Sequence, residues 1–201
     1  LIDGWGRKRL EPLLSMLARR LVEAGVSPDT VTMAGFLIGL MGGVAVIAGW
    51  FWVALALILL SRLADGLDGA VARLSCSTDF GGYLDIVLDF AFYGVIPLAF
   101  VLHDPASNGV AGGVLLFAFY ANGASFLAFS TIAEKRRLVT DARGEKSFFF
   151  TTGLAEAGET LIVFMLACLF PSWFPVIAYL FAAITFYTTV SRIVLAASLF
   201  R

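Results

Sequence analysis

The sequence predicts an all-α, polytopic membrane protein with six transmembrane helices preceded by an amphipathic interfacial helix. Three observations carry this. Of 201 residues, 60% are hydrophobic and only 14% are charged, whereas soluble domains carry about a quarter charged residues. Apolar stretches of about 17 to 24 residues recur along the chain, each long enough to cross roughly 30 Å of hydrocarbon. The 14 Lys and Arg residues all fall at, or nearer to, one side of that arrangement.

The elements follow in order. Residues 1–26 are expected to form the interfacial helix. Within 4–24, Trp5, Leu10, Leu13, Leu14, Leu17 and Leu21 line one broad face against Arg7, Lys8, Arg9, Arg19 and Arg20, a pattern suited to an anionic bilayer surface or to packing on the rest of the chain. That stretch lacks the clean apolar core of a secretory signal. The chain begins at Leu1, so trimmed residues are expected ahead of it. Residues 27–201 are expected to form a six-helix bundle, giving a single domain over 1–201. Ser27-Pro28-Asp29 starts a helix, with proline in its first turn and a carboxylate near its positive end. The spans are placed at 32–48, 51–73, 80–102, 110–133, 147–170 and 176–199. Gly49-Trp50, His103-Asp104-Pro105 and Pro171 to Pro175 mark turns at one side. The link 74–79 and the charged loop 134–146 lie at the other.

The positive-inside rule puts both termini in the cytoplasm and the chain in the inner, cytoplasmic membrane. Trp50 and Trp173 then fall at the far interface, as an aromatic belt would have them. Gly35, Gly39 and Gly43 recur every four residues with Gly42 beside them, a pattern for close helix packing that also suits a dimer contact. Cys76 and Cys168 lack metal-ligand spacing and are read as free thiols. The net charge of -1 gives no sign of a nucleic-acid partner.

Ionisable groups inside a membrane are costly and mark function. Counting 1.5 Å per residue from the helix ends, Asp68 lies about 8 Å and Asp65 about 12 Å deep on the second span, and Asp85 about 8 Å and Asp89 about 14 Å deep on the third. Each pair shares one helical face. The short link makes the two helices expected antiparallel neighbours, so the pairs stand level. Four carboxylates in low dielectric repel one another. Divalent cations resolve the conflict, and an all-oxygen ligand set suits two Mg²⁺ or Mn²⁺ ions about 4 Å apart, a clamp for phosphoryl transfer. A proton or ion pathway and a structural polar network are the competing readings.

Gly69 and Ala72 keep the adjoining face small, and Arg73 offers a guanidinium to phosphate. Gly81 and Gly82 place amides at a helix N-terminus, where a phosphate could bind or a tight loop could form. Arg62 lies deep and is expected to pair with Glu156 or Glu159. Lys135, Arg136, Arg137, Arg143 and Lys146 form either a solvated loop or a phosphate-binding surface.

The run Asp65-Gly66-Leu67-Asp68-Gly69-Ala70-Val71-Ala72-Arg73, seven residues, then Gly81-Gly82-Tyr83-Leu84-Asp85-Ile86-Val87-Leu88-Asp89 closely resembles the signature of the CDP-alcohol phosphatidyltransferases. That signature is Asp, two residues, Asp-Gly, two residues, Ala-Arg, usually eight residues, Gly, three residues, Asp, three residues, Asp. Here the gap after Arg73 is seven. The resemblance implies a membrane enzyme with an interfacial helix and six spans. It implies that Asp65, Asp68, Asp85 and Asp89 bind two divalent ions, that Asp89 is a general base, and that Gly69, Ala72, Arg73 and Gly81 line the CDP site. Ser27 to Thr32 resembles a short Pro-X-X-X-Thr stretch of the family, which assigns Thr32 and Asp29 to the nucleotide. A homodimer is implied by the same likeness.

The expected reaction is metal-dependent transfer of a phosphatidyl group from CDP-diacylglycerol, or a related CDP-lipid, to an alcohol acceptor, with CMP released. Asp85 and Asp89 are the expected catalytic residues. Glycerol 3-phosphate, serine, an inositol compound and a lipid hydroxyl are open as acceptors. Transfer of a CDP-linked headgroup to diacylglycerol is the alternative within the family. A small transporter or proton-coupled carrier is the alternative outside it, although the ionisable residues stop near the midplane.

Overall fold

A computed structural model describes residues 2–136 and 157–200, with side chains described from residue 11 onward. These residues form seven α-helices and a short 3-10 turn: α1 (Ile2–Glu23), α2 (Pro28–Ile47), α3 (Phe51–Leu74), α4 (Asp79–His103), α5 (Pro105–Lys135), α6 (Ala157–Leu169), the turn Pro171–Trp173, and α7 (Phe174–Leu199). Local chemistry sets the ends. Ser27 caps α2 by accepting from the Thr30 amide at 3.2 Å, with Pro28 in the first turn. Asp104 caps α5 by accepting from the Ser107 amide at 3.1 Å. Hydrogen bonds from Ser107 hold that carboxyl below its usual range. Gly25 and Gly49 take positive φ, 75° and 77°, and let the chain reverse after α1 and α2.

The helices α2, α4 and α5 and the stretch 171–199 are long and apolar enough to cross a membrane. Among the described residues four stretches are of this kind, against the six spans expected. The two remaining expected spans fall on α3 and α6. The 24-residue α3 is long enough but carries Arg62, Asp65, Asp68 and Arg73, and α6 has 13 described residues. Large apolar side chains face outward all round, among them Trp52, Val110 and Leu180, as lipid-facing surfaces do.

The main core joins α2, α3, α4, α5, α6 and α7 around Val46, Ile58, Phe92, Ile96, Phe100, Leu115, Phe164 and Phe181. A smaller cluster seats α1: Ala18, with Leu14 and Leu21, packs against Val31, Ala70 and Val71. Leu13, Met16 and Leu17 beside it stay exposed. The broad apolar face expected for α1 is therefore divided between the protein and its surroundings. Trp5 and Leu10 lie outside the described side chains.

On α2 the expected close packing of the glycines is found, and one expectation about its neighbours is corrected. First, the glycines are spent inside the chain. A Cβ at Gly35 would stand 2.9 Å from Ala64 Cβ, at Gly39 2.7 Å from the Phe92 ring, and at Gly43 2.9 Å from Val95. Secondly, α3 and α4 are not closely packed neighbours. Each packs extensively on α2 instead. With glycine at 35, 39, 42 and 43 on its buried face, α2 admits both helices and leaves a gap between them.

Candidate metal and nucleotide site

That gap is a small, partly open cleft. Thr32, Gly35 and Phe36 of α2 line it, with Ser61, Arg62 and Asp65 of α3 and Asp85, Leu88 and Asp89 of α4. Asp85 and Asp89, four apart on α4, both face it, and Asp68, three residues after Asp65, adjoins Asp65 and Asp85 at its edge.

Asp65, Asp68 and Asp85 each offer a carboxylate oxygen within 4.8 Å of the other two. Asp68 is 6% exposed, and its Oδ2 has no hydrogen-bond partner among the described residues. A buried carboxylate oxygen left unpaired costs free energy unless a cation takes it. Three convergent hard oxygen donors, one of them orphaned, fit a divalent ion such as Mg²⁺ or Mn²⁺. Beside them, Thr32 donates its hydroxyl to Pro28 O at 3.1 Å and adjoins Asp68.

Asp89 is placed differently. Arg62 Nη1 donates to its Oδ1 at 2.6 Å and stands 3.4 Å from Asp65 Oδ1. The expected pairing of Arg62 with a glutamate is thereby corrected for the described residues: α4 presents Asp89 directly across the gap. Glu156 lies outside the described residues. The guanidinium carbon lies 3.9 Å from the centroid of the Phe92 ring, a cation–π contact.

The expected nucleotide residues gather toward the ends of α2, α3 and α4 on the same side. A Cβ on Gly81 would stand 2.8 Å from Asp29 Oδ1, so glycine lets α4 meet α2 there. Arg73 folds back along α3, its Nη1 3.4 Å from where a Gly69 side chain would begin. Ala72 is half-buried on the same stretch. The amides of Gly81 and Gly82, expected at a helix N-terminus, are engaged by the turn before it. Gly81 N donates to Thr78 Oγ1 at 2.9 Å and Gly82 N to Thr78 O at 3.1 Å. Thr78 is the N-cap of α4, a signal legible in Thr78-Asp79.

Sequence reasoning missed two further arginine arrangements. Arg136, although exposed, donates to Leu199 O at 3.1 Å and Phe200 O at 2.5 Å, capping α7. Arg192 Nη1 donates to Asn122 O, Asn122 Oδ1 and Ser125 Oγ at 3.1, 2.9 and 2.7 Å, joining α5 to α7. Both are long-range pairings that spacing does not encode. Arg137, Arg143 and Lys146 lie outside the described residues.

The profile of a protein family described as CDP-alcohol phosphatidyltransferase matches residues 25–191. The chain is 45% identical over 193 residues to the inner membrane protein YnjF of Escherichia coli, covering 96% of this chain and 94% of that one. It is 26% identical over 188 residues to an archaetidylinositol phosphate synthase of Pyrococcus horikoshii, covering 93% and 92%. Its fold is similar to crystal structures of phosphatidylinositol phosphate synthase from Mycobacterium tuberculosis. The one with CDP-DAG bound has a TM-score of 0.67 at 23% identity, covering 90% of this chain and 92% of that chain. The one in complex with manganese and citrate has a TM-score of 0.66 at 23% identity, covering 90% and 87%.

Proposed function

The chain belongs to the CDP-alcohol phosphatidyltransferase family, an integral membrane family, and from that membership we propose that it transfers a phosphatidyl group from CDP-diacylglycerol to an alcohol acceptor and releases CMP. One observation of the molecule carries the reading: the motif of residues 65–89 converges on the α2, α3, α4 gap as three carboxylates with a buried, unpartnered oxygen. The crystallised relative of the same fold holds CDP-DAG in one structure and manganese in another, which supports the donor and a divalent cofactor.

Asp65, Asp68 and Asp85 would hold the divalent cation, with Asp89 completing the expected four-carboxylate set for two ions. A cation held there would supply charge neutralisation to the diphosphate and to CMP as it leaves. The acceptor hydroxyl attacks the phosphorus that carries diacylglycerol. A new P–O bond forms, the P–O bond to CMP breaks, and the hydroxyl proton passes to Asp89 directly or through water. Asp29, Thr32, Gly69, Ala72, Arg73 and Gly81 form the nucleotide end of the site, with Arg73 as the phosphate partner. The donor's acyl chains stay in lipid beside the helices.

The same reading has α3 and α6 inside the membrane with the four long apolar helices, α1 at the interface, and both termini and the site on the cytoplasmic side. The one-sided distribution of Lys and Arg supports this. A homodimer belongs to the reading by family likeness; its contact lies away from the α2 glycines, which are buried within the chain.

The test is CMP release by purified protein with Mg²⁺ or Mn²⁺. CDP-diacylglycerol is offered with glycerol 3-phosphate, serine, inositol and inositol phosphates, and CDP-linked headgroups are offered with diacylglycerol. Metal-dependent CMP release with CDP-diacylglycerol and one acceptor is the expected result. Release only from a CDP-headgroup donor would reverse the donor assignment. No release from any donor by metal-loaded protein would sink the transferase reading.

A further inference from the structure

Arg62 sits where two helices supply opposite charge. Its side chain is 14% exposed, its Nη1 serves Asp89 and approaches Asp65, and its Nε has no hydrogen-bond partner among the described residues. A guanidinium with an unsatisfied N–H is held in such a place only by strong neighbours. Here they are the two carboxylates and the face of Phe92. Phe92 is itself fixed: it is 1% exposed, and its ring fills the space that Gly39 leaves open. Close packing gives the guanidinium little room to swing aside.

Asp65 belongs to two sets at once. It is a member of the three-carboxylate group and the second partner of Arg62. A divalent ion drawn to Asp65 meets a unit positive charge a few ångströms away, and an ion seeking Asp89 Oδ1 must displace Arg62. At the low effective dielectric of a partly buried site this opposition is large.

We infer that Arg62 is a positioning residue that acts as a built-in cation: it holds the Asp89 carboxylate and opposes divalent-ion binding at the Asp65 and Asp89 end of the cluster. The Asp65, Asp68 and Asp85 group therefore takes the first ion, and a second ion enters against Arg62. Asp89 is oriented by its arginine before metal and substrate arrive. This rests on the metal-dependent transferase reading.

The test is Mn²⁺ titration followed by electron paramagnetic resonance on the purified full chain, alongside CMP release. Wild type, Arg62→Met, Arg62→Lys and Asp68→Asn are compared. Arg62→Met is expected to bind Mn²⁺ about tenfold more tightly, or to fill a second site at about tenfold lower concentration. Its kcat falls while the donor KM changes little. Arg62→Lys keeps the charge without the planar fork and stays within about threefold of wild-type affinity. If Arg62→Met does not fold, Arg62→Gln carries the same expectation. A folded neutral variant with wild-type Mn²⁺ affinity and stoichiometry overturns the inference, while wild type still binds Mn²⁺ and releases CMP. Wild type that binds no Mn²⁺, like Asp68→Asn, overturns the transferase reading and this inference with it.

Discussion

Arg62 Nη1 and Asp89 Oδ1 lie 2.6 Å apart and tie α3 to α4 across a gap in which the two helices do not pack closely on one another. Helix–helix contact there is replaced by contact of each helix with α2, and charge closes what packing leaves open. A site able to admit a diphosphate and its cations needs such a gap. A bundle with α3 and α4 in van der Waals contact would have none.

Asp89→Asn removes both the proposed proton acceptor and the partner of Arg62. CMP release should fall by about 10²- to 10⁴-fold, the range of a lost general base. Mn²⁺ should still bind, because Asp65, Asp68 and Asp85 are untouched. The checks are a CMP assay and Mn²⁺ resonance on the same preparation. Full turnover with metal bound would remove Asp89 from the proton-transfer role.

Asp68→Asn separates metal binding from folding. The buried, unpartnered Oδ2 makes this carboxylate costly without metal and valuable with it. In EDTA the variant should unfold at the wild-type temperature or above. In Mn²⁺ it should lose the stabilisation that wild type gains, about 2.7 kcal/mol at a hundredfold excess over the dissociation constant. Thermal unfolding in detergent with and without Mn²⁺ reads both. A variant that keeps the metal-induced rise would show that Asp68 is not a ligand.

The site was more legible than the bundle around it. The i, i+3 and i, i+4 spacings and matched depths of Asp65, Asp68 and Asp85 sufficed to bring them together, since helical rise and periodicity are local properties. The partner of Arg62 was not legible. Asp89 and Glu159 fall on different elements, and the rotation of each helix about its axis depends on packing that spacing does not encode. The separation of α3 from α4 was hidden for the same reason: a short link brings two helix ends together but leaves a third helix free to lie against both. The partner of the Gly81 amide was not read, although Thr78 before Asp79 is an N-cap signal. The span count stayed open because α3 carries its chemistry inside the stretch that would have to look apolar.

Arg136→Ala discriminates capping from phosphate binding. Its guanidinium holds the last carbonyls of α7 and lies over the Phe200 ring at 5.4 Å. Losing these contacts should cost about 0.5 to 2 kcal/mol of stability, read as a lower unfolding temperature, with Mn²⁺ affinity unchanged. If Arg136 instead serves a phosphorylated acceptor, the acceptor KM rises with no change in unfolding temperature.

Gly39→Ala tests whether the α2 stripe supports the site through Phe92. A Cβ there would stand 2.7 Å from the Phe92 ring and 2.9 Å from Ser61 Oγ, and the ring underlies Arg62. The ring must move, so the variant should lose about 1 to 3 kcal/mol. Its Mn²⁺ affinity should shift in the direction of Arg62→Met as the guanidinium loses its seat. Gly94→Ala is the matched control on α4: a Cβ there meets nothing within 4 Å. Replacing a helical glycine by alanine in open space should leave stability equal or raise it by up to about 1 kcal/mol. Unfolding temperature and Mn²⁺ binding measured on both variants separate the two effects. Equal behaviour of Gly39→Ala and Gly94→Ala would mean that the close approach of α2 to Phe92 carries no load, and the path from the glycine stripe to Arg62 would be lost.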